Sequence, residues 1–419
     1  MAPTPRAIRN VPYMGVIQVV AEATKLGFTG DDPDWCNLGQ GQPEVGLLAG
    51  APPRVELMKL SSIDHAYGPV GGTPALRQAV ADHYNRLYRS GHRSQYTAAN
   101  VAISAGGRLA ISRLLAVLAS GRVGYQTPDY TAYEDMLSYH AHRFVPVHIA
   151  TTAEEAFRIS PSRLTRIIVA HHLDALLISN PCNPTGQVIG GLELQQYLEI
   201  ARATGCSLLL DEFYSHYIYR ENGEPADAPV SAAAFVHDVE RDPVIIVDGL
   251  TKNFRYPGWR VGWVLGPADV VDQVSRAASA IDGGPPTMIQ HAALEVLSPT
   301  RADQESRVVR AVFARKRALT LGALRLMGVK VPHAPLGTFY VWGDVSALPA
   351  PYDDADELFR AALRRRVLVV PGRFFDVNPG RKRPDDAAYR QWVRFSFGPP
   401  EENVRLGLSR LGQLVGVSV

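Results

Sequence analysis

The sequence predicts an α/β protein with a mainly parallel, seven-stranded sheet in a large domain and a second, smaller α+β domain. Between residues 100 and 266, short apolar runs alternate with helical stretches, as is typical of strands buried on both faces of a parallel sheet. After residue 300 this alternation ends, and a long helical segment leads into further strands. A chain of 419 residues also exceeds what one compact core usually holds.

The apolar runs place the strands of the large domain. In chain order they are NVAIS (100–104), VGYQ (123–126), RFVPVHI (143–149), LDALLIS (173–179), SLLLD (207–211), VIIVDG (244–249) and RVGWVLG (260–266). Residues 71–88 predict a helix, because Thr73 can cap it, Pro74 suits its first turn and apolar residues recur at helical spacing.

The pattern of the last third of the sequence predicts the small domain. A helical segment (302–327) precedes strand candidates at 337–345, 367–372 and 392–398. We assign residues 46–300 to the large domain, and residues 1–45 together with 301–419 to the small one.

Composition excludes several classes of function. The net charge of +2 is too small to indicate a nucleic-acid or anionic membrane surface. Three cysteines without CxxC spacing argue against a disulfide framework or a zinc site, and His171-His172 has no partner at metal-ligand spacing. The N-terminus lacks a signal peptide's apolar core, and no apolar run approaches the ~20 residues of a transmembrane helix. We expect a cytoplasmic enzyme without a metal.

Polar residues follow several predicted strands, where ligands bind in open α/β sheets. Gly106 and Gly107 precede a helix, which outlines a phosphate site, although such a pair is often a plain turn. Two prolines in NPCNPTG (180–186) fix the direction of Asn183. Asp211 ends a strand, where a buried carboxylate needs a cationic partner unless it only caps the next turn, and Tyr214 follows closely.

Two cations follow the strand VIIVDG. Lys252 is the residue type for Schiff-base chemistry, because burial and nearby cations lower the pKa of an amine. Arg260 is the residue type for a phosphate dianion, because its guanidinium binds two oxygens. A ligand that suits all these residues carries a phosphate, a basic ring nitrogen, an acidic hydroxyl and a carbonyl. Pyridoxal 5'-phosphate has all four.

The sequence resembles the class I and II aminotransferases, which are fold-type I pyridoxal-phosphate enzymes. The matching motifs occur in the family's order and span most of the chain: LGQGQP (38–43), AYGPVGG (66–72), SAGGRLA (104–110), NPCNPTG, DEFY (211–214), TKNFRYPGWRVG (251–262) and RFSFG (394–398). The resemblance implies that the protein acts on amino acids with pyridoxal 5'-phosphate as cofactor.

The resemblance also implies roles at the cofactor ring. Lys252 forms the Schiff base and later moves the proton between the substrate and the cofactor. Asp211 keeps the pyridine nitrogen protonated, so that the ring can accept electrons. Tyr214 and Asn183 hydrogen-bond the 3'-oxygen, and Tyr130 stacks on the ring.

Further roles concern the phosphate, a partner subunit and the substrate. The implied phosphate residues are Gly106, Gly107, Arg108, Thr251 and Arg260. Tyr67 is implied to reach the phosphate of a neighbouring subunit in a homodimer. Arg394 is implied to bind the substrate α-carboxylate, with help from Asn183 and the Gly41 backbone, while Tyr13, Gly15 and Val16 cover the substrate.

Two departures from the family pattern stand out. Gly249 occupies a position where many members have a serine that touches the phosphate, and losing such a bond costs roughly 0.5–1.5 kcal/mol. Arg108 replaces a small hydroxyl residue, and its charge could offset that loss. His216 is a second departure, and it is either a core histidine or a residue that faces the substrate.

The reaction stays open at this point. Transamination to a 2-keto acid, through an external aldimine and a quinonoid, is the first interpretation. The alternative is β- or γ-elimination, replacement or cyclisation in specialised metabolism, on hydroxyarginine or S-adenosylmethionine. A transcription regulator with an aminotransferase-like domain would need a DNA-binding extension ahead of the family pattern, which starts almost at residue 1.

Overall fold

The computed structural model of the protein describes residues 11, 15–30, 32–384 and 388–419. The strands are β1 (Cys36–Asn37), β2 (Val101–Ser104), β3 (Arg122–Thr127), β4 (Val145–Ala150), β5 (Ala175–Ser179), β6 (Ser207–Asp211), β7 (Val244–Gly249), β8 (Gly262–Leu265), β9 (Tyr340–Asp344), β10 (Val367–Leu368), β11 (Val370–Pro371) and β12 (Trp392–Ser396). The α-helices are α1 (Gly15–Lys25), α2 (Pro74–Tyr88), α3 (Gly107–Val117), α4 (Tyr133–His140), α5 (Pro161–His171), α6 (Gly191–Thr204), α7 (Ala268–Ile281), α8 (Thr287–Val296), α9 (Pro299–Leu326), α10 (Ala355–Arg364) and α11 (Glu401–Leu414).

The large sheet contains the seven predicted strands, in the order β2-β8-β7-β6-β5-β3-β4. The pairings among β3, β4, β5, β6 and β7 are parallel, and β8 runs antiparallel to both of its neighbours. Because β8 is reversed, its first residue lies at the edge where the parallel strands end. The prediction of a mainly parallel sheet is confirmed.

Alternating residues of the central strands enter two separate cores. Leu208 and Leu210 of β6 pack on the face covered by α2, α5 and α6, whereas Leu209 packs on the opposite face with α3 and α7. Complete burial of each such side chain contributes about 1.5–3 kcal/mol. Since both faces are covered, polar groups concentrate at the strand ends.

The helix predicted at residues 71–88 forms as α2. The Thr73 hydroxyl accepts a hydrogen bond from the Leu76 backbone N–H at 3.4 Å, and Pro74 opens the helix. The cap satisfies one of the four backbone donors that a helix start leaves unpaired.

The last third of the chain contains two small sheets. Strands β9, β12 and β11 form an antiparallel sheet with β12 in the centre, and β1 pairs in parallel with β10. The single strand expected at 367–372 is therefore two short strands that belong to different sheets, and β1 was not predicted. These sheets and α9 share one apolar core with the α3 face of the large sheet.

The domain boundaries at residues 46 and 300 stay a prediction. Among the described residues, none of the helices has the length and apolar character needed to cross a bilayer.

Candidate active site

A cavity of about 700 Å³ lies at the edge of the large sheet where its parallel strands end. It brings together most of the residues that the sequence singled out: Val16, Gly41, Gly107, Arg108, Tyr130, Asn183, Asp211, Tyr214, Thr251, Lys252, Arg260 and Arg394. Gly106 lies beside this cavity, directly before α3. Tyr67 is fully exposed and does not line the cavity, and Tyr13 lies outside the described residues.

Lys252 follows β7 and turns its amine into the cavity. Burial, together with repulsion from Arg394, Arg108 and Arg260, lowers the pKa of this amine to about 7. Its Nζ donates a hydrogen bond to the carbonyl oxygen of Gly41. About half of the amine is therefore neutral near pH 7, and the neutral form is the one that acts as a nucleophile or base.

Asp211 ends β6 and is buried. Its Oδ2 accepts a hydrogen bond from the Tyr133 hydroxyl at 2.8 Å, and its Oδ1 accepts one from the Phe213 backbone N–H at 3.3 Å. Burial raises the pKa of the carboxyl to about 6, and these donors and Lys252 oppose the rise. The carboxylate is thus mostly ionised at pH 7 and can hold a protonated ring nitrogen. The sequence reasoning missed Tyr133.

Glycines make room for Arg260 at the start of α3. Gly106 has a φ of +91°, and a Cβ at this position would lie 2.1 Å from Nη2 of Arg260. A Cβ on Gly107 would lie 2.3 Å from the Phe213 ring. The unpaired N–H groups of the helix start and the Arg260 guanidinium therefore face one small space, which suits an anion.

Arg108 and Tyr130 form a second polar contact beside this space. The Nε of Arg108 donates a hydrogen bond to the Tyr130 hydroxyl at 2.9 Å. Because only Nε is used in this bond, the two outer nitrogens of the Arg108 guanidinium can meet a ligand.

The backbone around Gly249 explains why this chain has no serine there. A Cβ at Gly249 would lie 2.4 Å from the carbonyl oxygen of Val261 and 2.7 Å from Cα of Gly262. Both atoms belong to the backbone at the start of β8 or directly before it, so neither can move aside cheaply. The hydroxyl of Thr251 is buried and has no hydrogen-bond partner within the described part of the chain.

Arg394 projects from β12 and is buried at 1% exposure. Its Nη1 donates to Oδ1 of Asn183 at 2.8 Å, and its Nη2 donates to the Gly39 carbonyl at 2.5 Å. Its guanidinium carbon lies 4.1 Å from the ring centroid of Tyr340, whose hydroxyl is 2.8 Å from that of Tyr214. Nε of Arg394 lacks a partner among the residues described. These contacts orient the guanidinium before any substrate binds.

His216 belongs to the core rather than to the cavity. It is 2% exposed, its ring contacts His83 and Phe254, and its backbone N–H donates to Asn253 at 3.1 Å. Burial lowers the pKa of its imidazole well below the ordinary value, so the ring is neutral. This geometry supports the core interpretation of His216.

The polar groups of the cavity fit pyridoxal 5'-phosphate. The unsatisfied Thr251 hydroxyl and the space kept open by Gly106 suit a phosphate, the carboxylate of Asp211 suits the ring nitrogen, and the neutral amine of Lys252 suits the aldehyde. No group of three or more His, Cys, Asp or Glu side chains within the described residues is placed to hold a metal ion.

Comparisons with known proteins show the family. The family profile described as aminotransferase class I and II matches residues 33–411. An aspartate/prephenate aminotransferase of Thermus thermophilus is 30% identical over 390 residues, which cover 90% of this chain and 92% of that protein. A valine–pyruvate aminotransferase of Mycobacterium tuberculosis is 28% identical, with 90% of each chain covered.

Solved structures show the same similarity. The aspartate aminotransferase of Thermus thermophilus with maleate has a TM-score of 0.78 at 27% identity, and the match covers 99% of this chain and 100% of that one. The fold is therefore the fold-type I architecture that the sequence predicted. The chain belongs to the class I and II aminotransferases and is an enzyme that uses pyridoxal 5'-phosphate.

Proposed function

We propose that this aminotransferase moves the amino group of an L-amino acid to a 2-keto acid, with Lys252 as the residue that both binds the cofactor and moves the proton. The observation that carries the proposal is the buried amine of Lys252, whose pKa of about 7 gives it a large neutral fraction at physiological pH. When bound, the cofactor supplies an aldehyde that condenses with amines and a ring that accepts an electron pair from the substrate Cα.

The substrate is held by Arg394. Its planar guanidinium can bind the α-carboxylate as a bidentate pair, and its contacts with Asn183 and Gly39 fix its orientation. Anchoring the carboxylate directs the Cα–H bond toward the Nζ of Lys252. Positioning of this kind and a placed base contribute several orders of magnitude to rate.

The remaining cavity residues hold the cofactor. Asp211 keeps the ring nitrogen protonated, Tyr130 stacks on the ring, and Tyr214 and Asn183 donate to the 3'-oxygen. The phosphate is bound by Gly106, Gly107, Arg108, Thr251 and Arg260. Val16, at the start of α1, covers the substrate side of the cavity.

Transamination is favoured over elimination, replacement or cyclisation. The relatives named above are all aminotransferases by name. Aspartate is the first amino donor to test, because both Thermus thermophilus matches carry it in their names.

The test is a product analysis with the purified, cofactor-loaded protein. Aspartate and a panel of amino acids, each with 2-oxoglutarate, should give the keto acid of the donor together with glutamate. S-adenosylmethionine and hydroxyarginine serve as elimination and cyclisation probes, and release of a leaving group without amino transfer would overturn the proposal. Lys252→Ala should abolish turnover.

A homodimer is part of the proposal. The Tyr67 side chain is fully exposed, and Leu57, Met58, Leu60 and Ile63 nearby are also exposed, as expected of an interface. In such a dimer, Tyr67 reaches the phosphate of the partner's site. Mixing Lys252→Ala and Tyr67→Phe proteins would then create hybrids with one intact site. The mixture should bind pyridoxal 5'-phosphate in a productive site more tightly than either single variant does. A monomeric mass in solution would contradict the dimer.

A further inference from the structure

Arg255 lies three residues after Lys252 and is completely buried. Its φ is +59°, in the left-handed region that non-glycine residues rarely adopt. Its Nε donates to Glu305 on α9 at 2.6 Å, and its Nη1 donates to the carbonyls of Glu44 and Gly46 at 3.0 and 2.7 Å. The strained residue thus ties the loop of Lys252 to the backbone of residues 44–46.

A second buried cation holds the same segment from the other side. Lys316 on α9 is 0% exposed, and its Nζ donates to Oε1 of Glu44 at 2.6 Å and to the Gly398 carbonyl at 3.3 Å. The backbone N–H of Glu44 donates to the same Gly398 carbonyl at 2.8 Å. Gly398 follows the strand that carries Arg394.

The segment fixed by these cations, residues 41–46, is here called the strap. Its first residue, Gly41, accepts the hydrogen bond from Nζ of Lys252, and Gly39 just before it accepts one from Arg394. The strap therefore contacts the amine of Lys252 directly, and Gly39, two residues before the strap, contacts the guanidinium of Arg394. Buried cations hold such a geometry firmly, because breaking one pair leaves an uncompensated charge.

We propose that Arg255 and Lys316 are positioning residues, which fix the strap so that the Gly41 and Gly39 carbonyls align Lys252 and Arg394. Neither cation lines the cavity, so both act through the strap. The kinetic part of this inference rests on the proposed aminotransferase activity.

The test compares variants of the two cations with a matched control. Lys316→Met removes the ammonium group, whereas Lys316→Arg keeps a cation at this position. Arg255→Lys keeps the positive charge, but the lysine side chain cannot reach the three acceptors of Arg255 at once. Arg310→Met is the control, because Arg310 is a buried cation on the same helix that contacts Ser306 and Asp227 instead of the strap. Glu44→Gln is the milder variant, which keeps an acceptor oxygen for Lys316.

Two readouts are needed. Steady-state kinetics of the loaded enzyme should show KM for the amino donor raised about tenfold or more in Lys316→Met and Arg255→Lys, with a lower kcat, because small misplacements are costly. Hydrogen exchange of a peptide covering residues 38–47, measured on the apoprotein, should be faster by about tenfold or more. Lys316→Arg should recover part of both, and Arg310→Met should change neither beyond about twofold.

The outcomes separate this inference from the proposed function. Exchange is measured without cofactor or substrate, so it reports on the strap whichever reaction the enzyme performs. If strap exchange and KM stay at parental values in Lys316→Met and Arg255→Lys while thermal stability falls as in Arg310→Met, the two cations are only structural. If Lys316→Met does not fold, unchanged strap exchange in Arg255→Lys would equally overturn the inference, and Glu44→Gln, which keeps an acceptor for Lys316, should stay closer to the parent than Arg255→Lys does.

Discussion

Replacing Tyr133 with phenylalanine should shift the pH at which the protein loses its cofactor. The Tyr133 hydroxyl donates to Oδ2 of Asp211, and this bond stabilises the ionised carboxylate against the raised pKa that burial imposes. A hydrogen bond to a charged group contributes about 1.5–3 kcal/mol, and one pKa unit corresponds to about 1.4 kcal/mol. Removing the hydroxyl should therefore raise the pKa of Asp211 by about one to two units.

The sign follows from the state of Asp211 that the cofactor needs. An ionised carboxylate holds the ring nitrogen positive, whereas a protonated one does not. In the parent, with a pKa of about 6, affinity should weaken as the pH falls through 6. In Tyr133→Phe the weakening should begin about one to two pH units higher. Titrating the apoprotein with pyridoxal 5'-phosphate across this range, by absorbance, gives both midpoints.

Tyr130→Phe is the matched control for this measurement. It also removes a hydroxyl from the cavity, but that hydroxyl bonds to Arg108 rather than to Asp211. The control should alter affinity without moving the pH midpoint, and all three proteins keep Lys252, so its titration cancels in the comparison. Coincident midpoints for Tyr133→Phe and the parent would refute the role assigned to the Tyr133 hydroxyl.

Three further predictions concern single positions. Gly249→Ser should lower the free energy of unfolding by about 1–3 kcal/mol, because the serine side chain would clash with the backbone of Val261 and Gly262. An unchanged midpoint of urea unfolding would contradict this. Arg394→Lys should raise KM for the amino donor about tenfold or more, because the bidentate contact with the α-carboxylate is lost. An unchanged KM in steady-state kinetics would exclude Arg394 as the residue that binds the α-carboxylate. Lys252 is neutral in the folded apoprotein above pH 7 but protonated when unfolded up to its ordinary pKa of 10.5. The unfolding free energy of the parent should therefore rise with pH from 7 to 10.5, and that of Lys252→Met should rise less; an equal change in unfolding free energy between pH 7 and 9 in the two proteins, measured by urea denaturation, would disprove this.

The sequence predicted the site where a polar residue ends a buried strand or follows it within three residues. Asp211 and Lys252 are of this kind, because apolar runs locate the strands and their ends share one edge of a parallel sheet. The glycines at 106 and 107 were also recognisable, since a glycine pair before a helix has a local signature.

Partners from distant parts of the chain were not predictable from the pattern. Glu44 and Lys316 are 272 residues apart in sequence and meet only after folding. Tyr340 lies in a predicted strand, but the alternation of a strand buried on both faces does not tell which face meets Arg394. The short pairing of β1 with β10 rests on two residues of each strand, which is too little for a periodic signal.

The antiparallel strand β8 explains why two cations eight residues apart can share one site. Lys252 follows β7 and Arg260 precedes β8, so the reversal of β8 returns the chain to the edge it has just left. At that edge the like charges would repel in a buried cavity. Burial and repulsion from Arg394, Arg108 and Arg260 reduce this repulsion by lowering the pKa of Lys252 to about 7, so that about half of its amine is neutral at pH 7 while Arg260 stays charged. The reversed strand thus yields, from the same geometry, a cation for an anionic group and an unprotonated amine beside it.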